Sequence, residues 1–151
     1  MTRLFECFDR VRAIERELEV ALEAGRLLDD QLQADPGHLA RLNLAPADFS
    51  AFSEKLEPTY LIRLYAESEA ILRDAWTHYF QRPSHPPMRD LLEGVAARRQ
   101  IPAEVHGRVD RLREYRNGLV HRPPAATASA IIFRDARSRI GHYLAYLPPE
   151  W

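Results

Sequence analysis

Three side chains near residue 120 are of types that could together cleave RNA without a metal ion. Arg116, Asn117 and His121 bring a guanidinium, an amide and an imidazole into one short segment. The imidazole can transfer a proton near neutral pH, because its unperturbed pKa is about 6.5. It could deprotonate a ribose 2′-hydroxyl or protonate the leaving 5′-oxygen. The guanidinium could bind the scissile phosphate and stabilise the charge that builds on it, and the amide could orient either group.

The same segment also has a plainer, structural interpretation. A histidine near a helix end is more often a cap or a packed side chain, and this spacing of arginine and histidine is common by chance. However, Val105, Val109 and Leu112 recur at helical spacing, and Arg116 falls within the apolar stripe that they form. A fixed charge on such a stripe is costly unless it has a partner or faces a polar cleft. We therefore interpret residues 113–122 as a site segment.

The spacing of the two candidate catalytic residues raises a geometric difficulty. Five residues correspond to about 140° around an ideal α-helix, so Arg116 and His121 cannot both face one phosphate from one undistorted helix. Asn117-Gly118 weakens the helix and Pro123-Pro124 cannot continue it, which predicts that His121 lies where the helix frays.

A symmetric homodimer would remove this difficulty. A twofold axis beside the motif would bring two copies of each residue into one cleft. An apolar seam next to the motif is available for such an interface. Its expected members are Leu112, Leu119 and Val120.

Charge is distributed unevenly along the chain, although the net charge is only −1. Residues 1–57 carry twelve acidic and seven basic side chains, whereas residues 98–122 carry seven arginines and three acidic side chains. Guanidinium forks match phosphate geometry, so the basic segment suits a phosphate-bearing ligand such as RNA. A solvated helix face is the alternative interpretation. The candidates for RNA contact are Arg113, Arg122, Arg63 and Glu67.

Other chemistries are disfavoured by the motifs that the sequence lacks. It has no glycine-rich phosphate loop, no HExxH and no glycine-flanked serine, and its six histidines form no metal-binding pairs at helical spacing. We therefore expect no metal site and no cofactor. Residues 1–17 are densely charged rather than apolar, and the single Cys7 excludes an internal disulfide. A cytoplasmic protein without a membrane-spanning segment is expected.

The apolar residues recur at helical rather than alternating spacing throughout the chain. Its 151 residues fit one domain, 1–151, around one core. The sequence therefore predicts an all-α, up-and-down helical bundle of four to five helices, two of them long. The predicted elements are a helix from a Thr2 cap to about Ala34, a helical turn over 46–56, a long helix from Pro58 to Phe80, a short helix from Met88 to Arg99, the motif helix after Ile101-Pro102, and a last helix over 126–147.

The second long helix carries a pair of charges that bears on the site. Arg63 and Glu67 stand one turn apart and are able to pair. Such a pair is usually a weak surface bridge, and it matters for function only if that face meets the motif segment. His78 and His85 lack further ligands at metal-like spacing and are expected to face solvent.

Residues 115–121, with the sequence Tyr-Arg-Asn-Gly-Leu-Val-His, resemble the Arg-x4-6-His signature of the HEPN superfamily, in which Asn commonly follows the Arg. Residues 59–70 also resemble an upstream helix of uncharacterised bacterial HEPN-like proteins, so the resemblance covers roughly residues 57–145. It implies a usually dimeric all-α bundle whose paired motifs face each other across the interface. It also implies a metal-independent endoribonuclease of the toxin–antitoxin, CRISPR or phage-defence kind. Carried over by residue, Arg116 and His121 would be catalytic, Asn117 supporting and Glu67 the assisting acid.

One departure concerns the family toxins that are partnered by nucleotidyltransferase antitoxins. Those toxins commonly carry a tyrosine two residues after the histidine, and here that position is Pro123. The resemblance therefore does not extend to that subfamily or to its control by tyrosine modification.

Two other functions stay open at this point. One is a non-catalytic domain of the same family that holds a nucleotide or RNA, or mediates dimerisation. The other is a partner-binding helical protein, since the long acidic first helix could dock an antitoxin or regulatory protein, or could simply be solvated. If the chain only binds RNA, Arg116→Ala should lower the affinity and His121→Ala should leave it nearly intact. In an enzyme both changes should abolish cleavage.

Overall fold

A computed structural model describes residues 1–121 and 130–151, and these form the all-α bundle that the apolar spacing predicts. α3 is the central helix, because it packs against α1, α4, α5 and α6. α5 also packs against α4 and α6. In chain order the helices of the described part are α1 (Leu4–Ala34), α2 (His38–Arg41), α3 (Pro46–His78), α4 (Met88–Arg99), α5 (Ala103–His121) and α6 (Phe133–Leu144), of which α2 is a single turn.

The hydrophobic core includes residues from only one half of each of the two long helices, α1 and α3. α1 contributes buried residues up to Leu18, and α3 contributes them from Leu61 onward. α4, α5 and α6 supply the remainder, including Leu92, Leu112 and Ile140. The other halves of α1 and α3 therefore form a helical hairpin that extends past the core.

α3 passes through Pro58 without ending, so the prediction of a separate turn over 46–56 and a new helix at Pro58 was wrong. An interior proline removes one backbone hydrogen bond and normally kinks or ends a helix. Here the segment before Pro58 is held against α1, where the Phe52 ring lies 3.7 Å from the Cβ position of Gly25. Tertiary packing on both sides of the proline outweighs its local preference.

α6 is shorter than predicted, because it begins at Phe133 and ends at Leu144. Residues 126–129 of the predicted helix lie outside the described residues. Ile132 is extended, and the Phe133 amide donates to Oε1 of Glu57 on α3 at 2.7 Å. A carboxylate from another helix thus satisfies one of the amides that begin α6 and holds α6 on α3.

The two chain ends pair with each other. Thr2 and Trp151 exchange two backbone hydrogen bonds, of 2.6 and 2.9 Å. The Trp151 indole donates to Oδ2 of Asp74 on α3 at 2.7 Å. Thr2 therefore does not cap α1 as predicted, and Arg3 occupies the cap position.

Gly94 allows α4 to approach α3 closely. A Cβ at this position would lie 2.8 Å from the ring of Trp76, which is too short for any real contact. Gly94→Ala is therefore expected to destabilise the protein by about 1–3 kcal/mol, because one side must move to accept the methyl group. Alanine's higher helix propensity of about 1 kcal/mol offsets only part of this cost. Urea denaturation measures the difference.

The matched control for that change is Gly107→Ala on α5. Its Cβ would meet only Nη1 of Arg111, at 3.7 Å, an ordinary contact with a flexible side chain. This variant is expected to be as stable as the wild type or slightly more stable. Equal midpoints for the two alanine variants would show that α3 and α4 are not in the close contact described.

Candidate functional site

Arg116, Asn117 and His121 all lie on the last turns of α5, which stays α-helical through His121. Gly118 does not interrupt the helix, although Asn117-Gly118 was expected to weaken it. Arg116 and His121 therefore project about 140° apart and are separated by about 7.5 Å along the helix axis. Arg116 is half-buried against the bundle, whereas His121 is exposed.

The Arg116 guanidinium lies over the ring of Tyr65 on α3. Its Cζ is 5.8 Å from the ring centroid, within the range of a cation–π contact. Its Nη1 donates to Oδ1 of Asn117 at 3.2 Å, whereas its Nε is buried without a hydrogen-bond partner. The partners of this charge within the described chain are thus an aromatic ring and an amide rather than a carboxylate. Arg116 keeps donor capacity for an anion.

Arg113, one turn earlier on α5, differs from Arg116 because acidic side chains pair with its charge. Its Nε donates to Oδ1 of Asp110 at 2.7 Å, and its Nη2 lies 3.6 Å from Oε1 of Glu114. The hydrogen bond to Asp110 raises the pKa of Arg113 above its ordinary value. Two neighbouring acids already neutralise this side chain, so it is less available to a phosphate than Arg116.

Tyr65 is the buried centre of the cluster. It is 2% exposed, and its hydroxyl is buried without a hydrogen-bond partner among the described residues. Burial raises the pKa of Tyr65 well above its usual range, and the charge of Glu69 raises it further, while Arg113 and Arg116 oppose this shift. The phenol therefore stays protonated, with charges of both signs around it.

The structure places the other two candidates on α3, Arg63 and Glu67, away from this cluster. Nη1 of Arg63 lies 2.6 Å from Oε2 of Glu17, and Oε1 of Glu67 lies 3.1 Å from Nε of Arg10. Both side chains therefore pair with α1 rather than with each other. Each is two residues from Tyr65, and two residues correspond to about 200° around a helix, so they leave α3 on the opposite side.

Sequence reasoning missed Tyr65 as a neighbour of the motif and Glu69 as a neighbour of Tyr65. Glu69 follows Tyr65 by one turn and acts on its hydroxyl, and its own carboxylate pairs with Arg73 at 2.6 Å. The sequence holds one signal of this arrangement, which is that positions 65 and 69 share a face of α3. That signal can be used only when it is known that α5 packs on this face. The candidate Arg122 lies outside the described residues.

One of the three residues predicted to form an apolar dimer interface is not available at the surface. Leu112 is fully buried inside the chain, because α5 packs against α3 and α6. Leu119 is partly buried against the same core, and Val120 is 45% exposed. Beside them, a Cβ at Gly118 would have no heavy atom of the described residues within 4 Å. In the described part of the chain, the surface at the motif therefore includes Val120 and the side of α5 that carries Gly118, here called the glycine face.

Two further observations describe what residues 1–121 and 130–151 contain. No helix in these ranges is long and apolar enough to cross a membrane. In the same ranges, histidine, cysteine, aspartate and glutamate side chains do not gather in groups of three or more that could hold a metal ion. His78 and His85 face solvent as predicted.

Comparisons with known proteins give no relative for this chain. No protein-family model matches it, and neither a curated protein nor a solved structure does.

Proposed function

We propose that this chain is a metal-independent endoribonuclease whose Arg116 and His121 form a site at the interface of a homodimer. The observation that carries the proposal is the state of Arg116. Its charge is half-buried over Tyr65, and its partners among the described residues include no carboxylate. An exposed histidine follows on the same helix. The resemblance of residues 115–121 to the HEPN signature supports the same function.

The reaction needs only proton transfer and charge stabilisation. His121 removes the proton from a ribose 2′-hydroxyl, and the 2′-oxygen attacks the adjacent phosphorus. The bond from phosphorus to the 5′-oxygen breaks, that oxygen takes up a proton from water, and the proton on His121 returns to solvent. The products end in a 2′,3′-cyclic phosphate and a 5′-hydroxyl. Arg116 binds the phosphate oxygens and stabilises the charge that grows on them, and Asn117 orients the guanidinium through its 3.2 Å hydrogen bond.

The straightness of α5 supports the homodimer of the proposal. Because the helix is undistorted at Gly118, Arg116 and His121 of one chain point about 140° apart. A site built around one phosphate therefore takes Arg116 from one copy and His121 from the other. The open glycine face and the exposed Val120 offer a surface where a partner helix can approach.

The biological setting of the proposal comes from the resemblance. Ribonucleases of this kind act in toxin–antitoxin or defence systems, with an antitoxin or regulatory protein as a further partner. The acidic outer half of α1 is the surface we assign to such a partner, since Glu19 and Glu23 are exposed there.

The test is incubation of the purified protein with mixed cellular RNA in EDTA, beside His121→Ala. The proposal expects cleavage by the wild type alone, with fragments that end in 2′,3′-cyclic phosphate. Fragments with linear 3′-hydroxyl ends, or cleavage only after metal is added, would contradict it. Retention of RNA without cleavage by either protein would favour a non-catalytic RNA-binding domain.

A further inference from the structure

Two polar atoms are left without partners where α3 meets α5. The Tyr65 hydroxyl and the Arg116 Nε are each buried and form no hydrogen bond with the residues that the structure describes. They belong to side chains in contact, because the guanidinium lies over the phenol ring. A buried polar group without a partner lowers stability, so each such group in a folded protein needs an explanation.

Folding alone does not explain the Tyr65 hydroxyl. Phenylalanine would fill the same space and avoid the unpaired group. Tyr143 on α6 provides the comparison within the same core, since it is 1% exposed and its hydroxyl donates to the Leu92 carbonyl at 2.7 Å. That hydroxyl bonds α6 to α4, whereas the Tyr65 hydroxyl bonds nothing in the described structure.

We infer that Tyr65 is a positioning residue for Arg116, and that its hydroxyl accepts the Arg116 Nε–H when RNA is bound. The inference rests on the proposed ribonuclease function. Arg116 is the donor we choose, because Arg113 is already held by two acids, with its Nε 2.7 Å from Oδ1 of Asp110 and its Nη2 3.6 Å from Oε1 of Glu114. A guanidinium held at Nε by Tyr65 and at Nη1 by Asn117 keeps its remaining Nη hydrogens for phosphate oxygens. Tyr65 thereby fixes the orientation of the Arg116 guanidinium.

The experiment compares Tyr65→Phe with Tyr143→Phe, a matched loss of one hydroxyl from the same core. Tyr65→Phe is expected to keep or raise the urea midpoint, because it removes an unpaired group. Its single-turnover cleavage rate should fall about tenfold or more, since a poorly oriented guanidinium misplaces the phosphate. Its affinity for a non-cleavable 2′-deoxy oligonucleotide should fall by less than the rate does. Tyr143→Phe should show the reverse, with a lower midpoint and an unchanged rate.

A second readout follows Arg116 directly. With the 2′-deoxy oligonucleotide bound, the Arg116 Nε–H signal in a ¹H–¹⁵N spectrum should be protected from exchange in the wild type and lost in Tyr65→Phe. A Tyr65→Phe variant that cleaves like an active wild type would overturn the positioning role and leave the ribonuclease proposal intact. A lower midpoint with a proportional loss of rate would also overturn it, as a purely structural effect. An inactive wild type would overturn both.

Discussion

His121→Ala is expected to lower the rate of RNA cleavage by about 10²–10⁴-fold, the range typical of a lost general acid–base group. RNA affinity should stay nearly unchanged, because the imidazole is exposed and makes no hydrogen bond within the described residues. Its substitution should also leave the fold intact. Single-turnover cleavage and fluorescence anisotropy with a 2′-deoxy oligonucleotide measure the two quantities separately.

Two further variants make this result specific. Arg116→Ala should lower both the affinity and the rate, because this charge binds the phosphate in the ground state and in the transition state. His85→Ala, which also removes an exposed histidine but in the α3–α4 connection, should behave like the wild type. Unchanged cleavage by His121→Ala would remove the imidazole from the mechanism.

Gly118→Ala is expected to stabilise the fold of the single chain and to weaken the association of two chains. Within the described residues of one chain the new Cβ meets nothing within 4 Å, and alanine should stabilise α5 by about 1 kcal/mol. In the proposed dimer the partner helix would approach over this glycine, so the methyl group should weaken association. Cleavage should then fall at least about tenfold at fixed concentration, since each site needs both copies.

Analytical ultracentrifugation and urea unfolding at low protein concentration separate these two effects. Gly107→Ala on the same helix is the control, because its Cβ meets only Arg111 at 3.7 Å and it lies about three turns from the motif. It should leave both association and cleavage unchanged. A Gly118→Ala protein that dimerises and cleaves like the wild type would place the interface elsewhere.

The sequence predicts well those helix boundaries that depend on nearby residues such as prolines and glycines. The Met88–Arg99 helix has the predicted bounds, and α1 ends at Ala34, before Asp35-Pro36-Gly37. Pro58 misled the prediction because its effect is local, whereas the continuity of α3 depends on packing against α1. The cap of α6 by Glu57 joins residues 76 positions apart, which no local pattern reveals.

At the candidate site, too, the sequence predicts what depends on one helix but not what depends on the packing of two helices. The apolar stripe placed Arg116 correctly against the core, since helical periodicity alone determines which face is buried. The partner was harder to predict, because it depends on how α3 is rotated relative to α5. Glu67 and Tyr65 are only two residues apart, yet Glu67 faces Arg10 on α1 while Tyr65 lies beneath Arg116.

The most direct test of the shared site is a mixing experiment with Arg116→Ala and His121→Ala. Each variant alone should be inactive. Mixed in equal amounts and allowed to exchange subunits, half of the dimers contain one complete Arg116–His121 pair out of two, so about a quarter of wild-type cleavage should return. Cleavage by the wild type without recovery in the mixture would show that both residues act from one chain. The absence of cleavage by wild type and mixture alike would contradict the ribonuclease function itself.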